Sequence, residues 1–338
     1  MPVTRRAMIG GALAMPFLHR SSRAATPRII KISHQFPGGT VEQGDFRDRL
    51  VRRFAASVQE KTGGDLTFEI YPGSSLMKTV AQFSAIRRGA LDMSLYPLAY
   101  AGGEVPEVNV GLMPCLVTSY EQGIAWKAND IGHELDALLD KRGVKIVTWI
   151  WQGGGVVSRT HGVVRPDDTK GLKIRGGSRE MDLMLKQAGG IISSITSEET
   201  YAAMQTGSLD AAVTSSTSLI SFRLQEIAKN VTSARTGSFW FMFEPLLMSK
   251  IVFDSLTPEQ QAAVLQAGLE QEAFALASAK ADDQALGDVY GKAGVPVADM
   301  NADAIAQWKA VSQASAWKDF AGRSASCAAM LKLAEAVA

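Results

Sequence analysis

The sequence predicts an α/β fold of two similar lobes, on three observations. Strand and helix signals alternate along the first two thirds of the chain, the order that places helices against a largely parallel sheet. A ten-residue pattern occurs twice, as FSAIRRGALD at 83–92 and YAAMQTGSLD at 201–210, with Ala85/Ala203, Gly89/Gly207, Leu91/Leu209 and Asp92/Asp210 identical. The chain has 338 residues, more than one hydrophobic core usually fills.

The elements follow from local pattern. Arg28–Ser33 is a short β-branched run and reads as a strand. Thr40 is placed to cap a helix reaching Lys61, because Phe46, Leu50, Phe54 and Val58 recur every fourth residue as one apolar stripe. Leu66–Tyr71 alternates as a strand, residues 78–88 form a helix ended by Gly89, and Leu91–Tyr96 is the next strand. Lys145–Trp151 reads as one further strand and Leu172–Arg175 as a short one. Thr257-Pro258-Glu259-Gln260 is a helix start, with Thr257 as cap, Pro258 in the first position and Gln260 reaching back. That helix runs past Leu276 towards Tyr290 and is long enough to lie across both lobes. In each copy of the repeat a helix, a glycine able to take positive φ and a strand follow one another. The segments after them, Leu95-Tyr96-Pro97 and Val213-Thr214-Ser215, are therefore expected to face each other across a cleft, beyond the carboxyl ends of strands where α/β folds bind ligands.

The amino terminus carries a different signal. Arg5 and Arg6, an apolar run from Ala7 to Leu18, and small residues to Ala25 have the order of an export signal over residues 1–25. The paired arginines suit the twin-arginine route, and an ordinary secretory signal remains the alternative. The run of about 12 residues is short of the roughly 20 that span a bilayer. Cleavage after Ala24 removes four of 35 basic residues and none of 34 acidic ones, leaving a net charge of −3. That balance gives no reason to expect nucleic acid as a partner. Of the two cysteines, Cys115 sits in an apolar run, so two free buried thiols are expected. Neither they nor the scattered His34, His133 and His161 have metal-ligand spacing. G-x-S-x-G and the dinucleotide fingerprint are absent, which weighs against the alternative of an exported hydrolase.

Four segments carry a family resemblance: FEIYPGSSL (Phe68–Leu76) followed by RRGALDMSL (Arg87–Leu95), DDTKGLKIRGGS (Asp167–Ser178), MQTGSLDAAV (Met204–Val213) and FDSLTPEQQAAVLQAG (Phe253–Gly268). In this order they resemble the solute-binding proteins of tripartite ATP-independent periplasmic (TRAP) transporters, the DctP family. The resemblance covers nearly all of the chain after the export signal. It implies a two-lobed periplasmic-binding-protein-like fold with a hinge and a long helix spanning both lobes. The division expected is residues 27–148 with about 240–275 in lobe I, and 149–239 with about 276–338 in lobe II. It implies a periplasmic protein, not an enzyme, that closes on a small organic acid and delivers it to a small and a large membrane subunit. Use in sensing, by way of a membrane receptor, is the alternative, and monomer and dimer are both compatible.

The resemblance also assigns roles. Arg175, at a strand end before Gly176-Gly177, takes the family's carboxylate-pairing arginine, and a guanidinium suits a carboxylate because it offers two parallel donors. Lys173, one step back on the same face, is expected outside the ligand's reach. Thr214 and Ser215 stand where many members carry an asparagine, so either they bind the ligand through hydroxyls or they cap a turn. In FWFMFEP (Phe239–Pro245), Trp240 and Glu244 resemble the branch that binds 2-oxo and 2-hydroxy acids. There a glutamate, a glutamine and backbone carbonyls hold a bridging cation such as Ca or Na, and Glu244 and Gln152 match the two side chains. Trp151, Phe239 and Trp240 are expected to form an apolar wall suited to an aromatic acid. His34 and Tyr96 complete the expected ligand contacts.

Overall fold

The computed structural model describes Met1 and residues 27–337; the export signal expected over residues 1–25 lies outside the described residues. The strands are β1 (Arg28–Ser33), β2 (Leu66–Tyr71), β3 (Met93–Leu95), β4 (Val144–Thr148), β5 (Trp151–Ser158), β6 (Lys173–Arg175), β7 (Ile191–Ile192), β8 (Ala211–Ser215), β9 (Asn230–Ser233), β10 (Phe241–Phe243), β11 (Leu246–Ser249) and β12 (Val297–Asp299). They form two sheets, ordered β2-β1-β3-β11-β4 and β12-β9-β5-β8-β6-β7, with β10 added against β5.

The sheets are built to one plan. In the first, β2, β1 and β3 are parallel and β11 runs antiparallel beside β3. In the second, β7, β6 and β8 are parallel and β5 runs antiparallel beside β8. The repeated segments precede β3 and β8, which hold the same place in their sheets. Gly89 (φ 69°) and Gly207 (φ 77°) end the helices Thr79–Arg87 and Thr200–Gln205 in the left-handed region that a side chain disfavours. The expected twofold architecture is thus present.

Two chain segments cross between the sheets. β4 leaves the first sheet at Thr148 and β5 enters the second at Trp151; β10 leaves the second at Phe243 and β11 enters the first at Leu246. The crossings touch, since the Glu244 N–H donates to the Ile150 carbonyl at 2.9 Å. The single strand expected over Lys145–Trp151 is therefore two strands broken at Trp149-Ile150. The apolar run looks continuous because both sides of the break are buried.

Other boundaries shift for local reasons. The first long helix is Phe46–Lys61 and its cap is Asp45, whose carboxylate accepts from the Arg47 N–H. Thr40 instead closes a preceding turn, accepting from the N–H groups of Glu42 and Gln43. The strand expected over Leu91–Tyr96 is ladder-paired only over Met93–Leu95. Both cysteines are buried free thiols, as expected.

The helix Pro258–Lys292 matches the expectation closely. Thr257 accepts from the Gln260 N–H and Gln260 answers to the Thr257 N–H, a complete capping box with proline in the first turn. Over 35 residues it packs on the helix Phe46–Lys61 and β4 at one end and on β5 and β9 further along. The carboxyl-terminal segment does not stay with the second lobe as expected: Trp317, Phe320, Cys327, Met330 and Leu331 belong to the core built around the first sheet. Among the described residues no helix is long and apolar enough to cross a membrane.

The long helix lies close to β4 because Gly268 has no side chain; a Cβ there would sit 2.1 Å from the Val147 carbonyl oxygen. Gly268→Ala is expected to cost about 1–3 kcal/mol by forcing that contact apart. Thr257→Ala should cost about 1 kcal/mol by losing the cap. Urea unfolding of both variants measures the difference.

Candidate functional site

The carboxyl ends of four strands converge between the sheets. Gln35 follows β1, Pro97 follows β3, Arg175 ends β6 and Thr214 lies at the end of β8, and all four line one small cavity between the sheets. Trp240 and Glu244, from the second crossing, close it. This is the position beyond strand termini where ligands of α/β sheets bind.

Arg175 is 2% exposed. Its Nε donates to the Ile195 carbonyl at 3.1 Å, Nη1 to the Val213 carbonyl at 2.7 Å and Nη2 to the Tyr100 hydroxyl at 2.6 Å. All three acceptors are neutral. Among the described residues no carboxylate pairs with it; Asp182 and Glu199 feel its charge only from a distance. One N–H on each terminal nitrogen is left over, the pair that grips a carboxylate end-on. Gly177 keeps the face of the guanidinium open, since a Cβ there would lie 3.0 Å from its central carbon and both terminal nitrogens. Lys173 is exposed on the far end of β6, out of reach as expected.

Arg47 is the functional residue that sequence reasoning missed. It is 1% exposed and stands over the Phe36 ring at 3.6 Å. Asp45 takes it from two sides, at 2.9 Å to Nε and 2.7 Å to Nη2. Its Nη1 lies 3.3 Å from Glu244 and donates to Ser218 at 3.1 Å across the cleft. Its position in FRDRLVRR, a run of charges beside the apolar stripe, reads as an exposed helix face, and nothing local marks it as buried. Burial pushes the Glu244 carboxyl up to about 7; Arg47 opposes the shift and Asp45 adds to it.

The remaining expected residues separate into wall and support. Thr214 and Trp240 are on the wall, and Trp240 lies flat because Gly154 opposite has no Cβ, which would come within 2.5 Å of the ring. Ser215 is the helix cap of the two readings: its hydroxyl accepts from the Ser218 N–H and from Arg47. Gln152 stands behind Glu244, donating its amide to the carboxylate that Arg47 also holds.

His34 and Tyr96 do not reach the cavity. His34 stacks on Phe36 with its Nε2 3.2 Å from Asp48. Burial pushes the Asp48 carboxyl up, but hydrogen bonds from His34, Arg52 and Gly39 outweigh it and hold it below the ordinary carboxylate range. Tyr96 is fully buried between Phe83 and Tyr100. The neighbours Gln35 and Pro97 take their places, because alternation at the strand ends turns the adjacent side chain inward, and Tyr100 joins them from the helical turn that follows. The expected aromatic wall shrinks to Trp240: Trp151 packs on Trp126 and Phe243, and Phe239 packs on Trp308.

Comparison with known proteins identifies the family. The family described as bacterial extracellular solute-binding protein, family 7 (DctP) matches residues 38–323. The chain belongs to that family. A solute-binding protein of Albidiferax ferrireducens is 56% identical over 325 residues, 96% of each chain. The crystal structure of a TRAP periplasmic solute-binding protein from Rhodoferax ferrireducens, with bound malonate, superposes with a TM-score of 0.90 at 57% identity, covering 91% of this chain and 98% of that one. The 2,3-diketo-L-gulonate-binding periplasmic protein of Escherichia coli is 27% identical over 265 residues, 77% of this chain and 79% of its own. The fold is accordingly that of the two-lobed TRAP solute-binding proteins, and the family serves transport.

In this solute-binding protein Arg47 holds two buried carboxylates. Arg47→Met, which keeps the bulk and removes the charge, is expected to lower stability by about 3–5 kcal/mol, the cost of leaving a buried charge uncompensated. Urea unfolding checks it.

Proposed function

We propose that this chain is the periplasmic, non-catalytic solute-binding subunit of a TRAP transporter and captures a small organic carboxylate between its lobes for delivery to the small and large membrane subunits. The observation that carries the reading is Arg175, a buried cation whose partners are all neutral. A buried charge without a counter-ion is costly, and an anionic ligand supplies the missing charge. The malonate held by the Rhodoferax ferrireducens protein is a carboxylate of this size.

The finer ligand class in this reading is a short aliphatic acid, with 2-oxo and 2-hydroxy acids favoured over aromatic ones. The cavity is small, and Trp240 is the one aromatic side chain of the expected three that lines it. Arg47 stands where a bridging cation would act. Glu244 and Gln152 each keep an oxygen without a partner, but a guanidinium already rests on Glu244. Among the described residues no group of three or more acidic, histidine or cysteine side chains is placed for a metal.

Ligand capture works by stabilising closure. A ligand bridging both lobes favours the closed arrangement by its difference in affinity for the two states. Arg175 and Thr214 come from the second sheet, and Gln35 and Tyr100 from the first lobe.

Isothermal titration calorimetry with malonate and a panel of short 2-oxo and 2-hydroxy acids tests the reading. At least one should bind, Arg175→Ala should weaken it about tenfold or more, and EDTA should leave the affinity unchanged. An Arg175→Ala protein with native affinity removes Arg175 from the site, and loss of binding in EDTA restores the cation.

A further inference from the structure

Besides Arg175, the cavity wall carries polar side chains of a different character. Gln35 is 2% exposed and its Oε1 has no hydrogen-bond partner. Trp240 is 2% exposed and its Nε1–H is likewise unpartnered, as is the Oε1 of fully buried Glu244. All three side chains line the cavity. Buried polar atoms are nearly always paired, so three on one wall mark a place built for a ligand group.

The three atoms differ in kind, and the difference selects the group. Trp240 can only donate, and a carboxylate oxygen of Glu244 accepts. Gln35 can turn its amide either way round and serve as donor or acceptor. A hydroxyl both accepts and donates, so it can satisfy Trp240 and one of the oxygens together. An ionised carboxylate only accepts; while Glu244 is ionised beside Arg47, it would satisfy Trp240 and leave the Glu244 oxygen facing another negative oxygen. All of these groups share the small cavity with Arg175, which keeps the ligand chain between them short.

We infer that Gln35 and Trp240 determine specificity at the second end of the ligand, selecting a carboxylate that carries a neutral hydroxyl on a short chain over a dicarboxylate. The inference rests on the carboxylate clamp at Arg175. Sequence reasoning treats Trp240 as an apolar wall and passes over Gln35, which lies between the more conspicuous His34 and Phe36.

Calorimetric titration of the native protein with 3-hydroxypropionate, propionate and malonate tests it, because the three share one carbon skeleton and differ only at the far end. 3-Hydroxypropionate is expected to bind about tenfold or more tightly than either of the others, the discrimination that a few buried hydrogen bonds provide. Gln35→Met should reduce the preference for 3-hydroxypropionate over propionate by about threefold or more. Malonate binding as tightly as 3-hydroxypropionate overturns the inference and leaves the clamp standing. An equal loss for 3-hydroxypropionate and propionate in Gln35→Met makes Gln35 structural and overturns its role. If none of the three binds the native protein, the clamp fails and the inference falls with it. The native ratios decide the matter even if the variant does not fold.

Discussion

Arg175 carries a full positive charge into the space between two sheets, and among the described residues no carboxylate pairs with it. Its position is prepared by main-chain carbonyls of Val213 and Ile195, by the Tyr100 hydroxyl from the opposite lobe, and by the bare backbone of Gly177. Neutral dipoles orient a guanidinium without cancelling it, so the site retains an unmet demand for an anion. Arg47 shows the contrasting arrangement a few residues away in space. It is equally buried, yet Asp45 and Glu244 neutralise it, and its hydrogen bonds tie the first long helix to Ser218 in the other lobe. One arginine is a structural cross-brace; the other is held ready for a ligand.

The architecture around these two residues explains how capture and movement are joined. The lobes are connected by two touching strand crossings, at Trp149-Ile150 and Glu244-Pro245, by one long helix and by the return of the carboxyl-terminal segment to the first core. Glu244 lies in a crossing and on the cavity wall at once. Other contacts hold the lobes together away from the hinge. Glu198 accepts from Ser74 at 2.6 Å and from Thr79 at 3.1 Å, and the Tyr100 hydroxyl accepts from the Ser197 N–H at 3.1 Å. Each is a modest interaction, so the ligand's contribution can decide the balance between open and closed.

Much of this was legible in the sequence because it rests on local chemistry. The Thr257–Gln260 capping box, the glycine-ended helices before β3 and β8, and the strand end at Arg175 each need only a few neighbouring residues, and the repeat revealed the common plan of the sheets. What was not legible depends on distant partners. Arg47 is buried by Phe36, Glu244 and Ser218, none of them predictable from FRDRLVRR. Thr40 was an acceptable cap until Asp45 was seen to take the position. At strand ends a shift of one residue exchanges inside for outside, so His34 and Tyr96 were expected where Gln35 and Pro97 stand. The run KIVTWIW hid the hinge because its two halves are buried by different lobes.

The central claim is that Arg175 serves the ligand and not the fold. The ligand-free stability of Arg175→Met in urea tests it most directly. The account predicts a protein about as stable as native, because removing an uncompensated buried charge offsets the three hydrogen bonds lost. A loss of about 3–5 kcal/mol, the cost expected when one member of a buried ion pair is removed, would mean that Arg175 holds the fold together and would contradict the account.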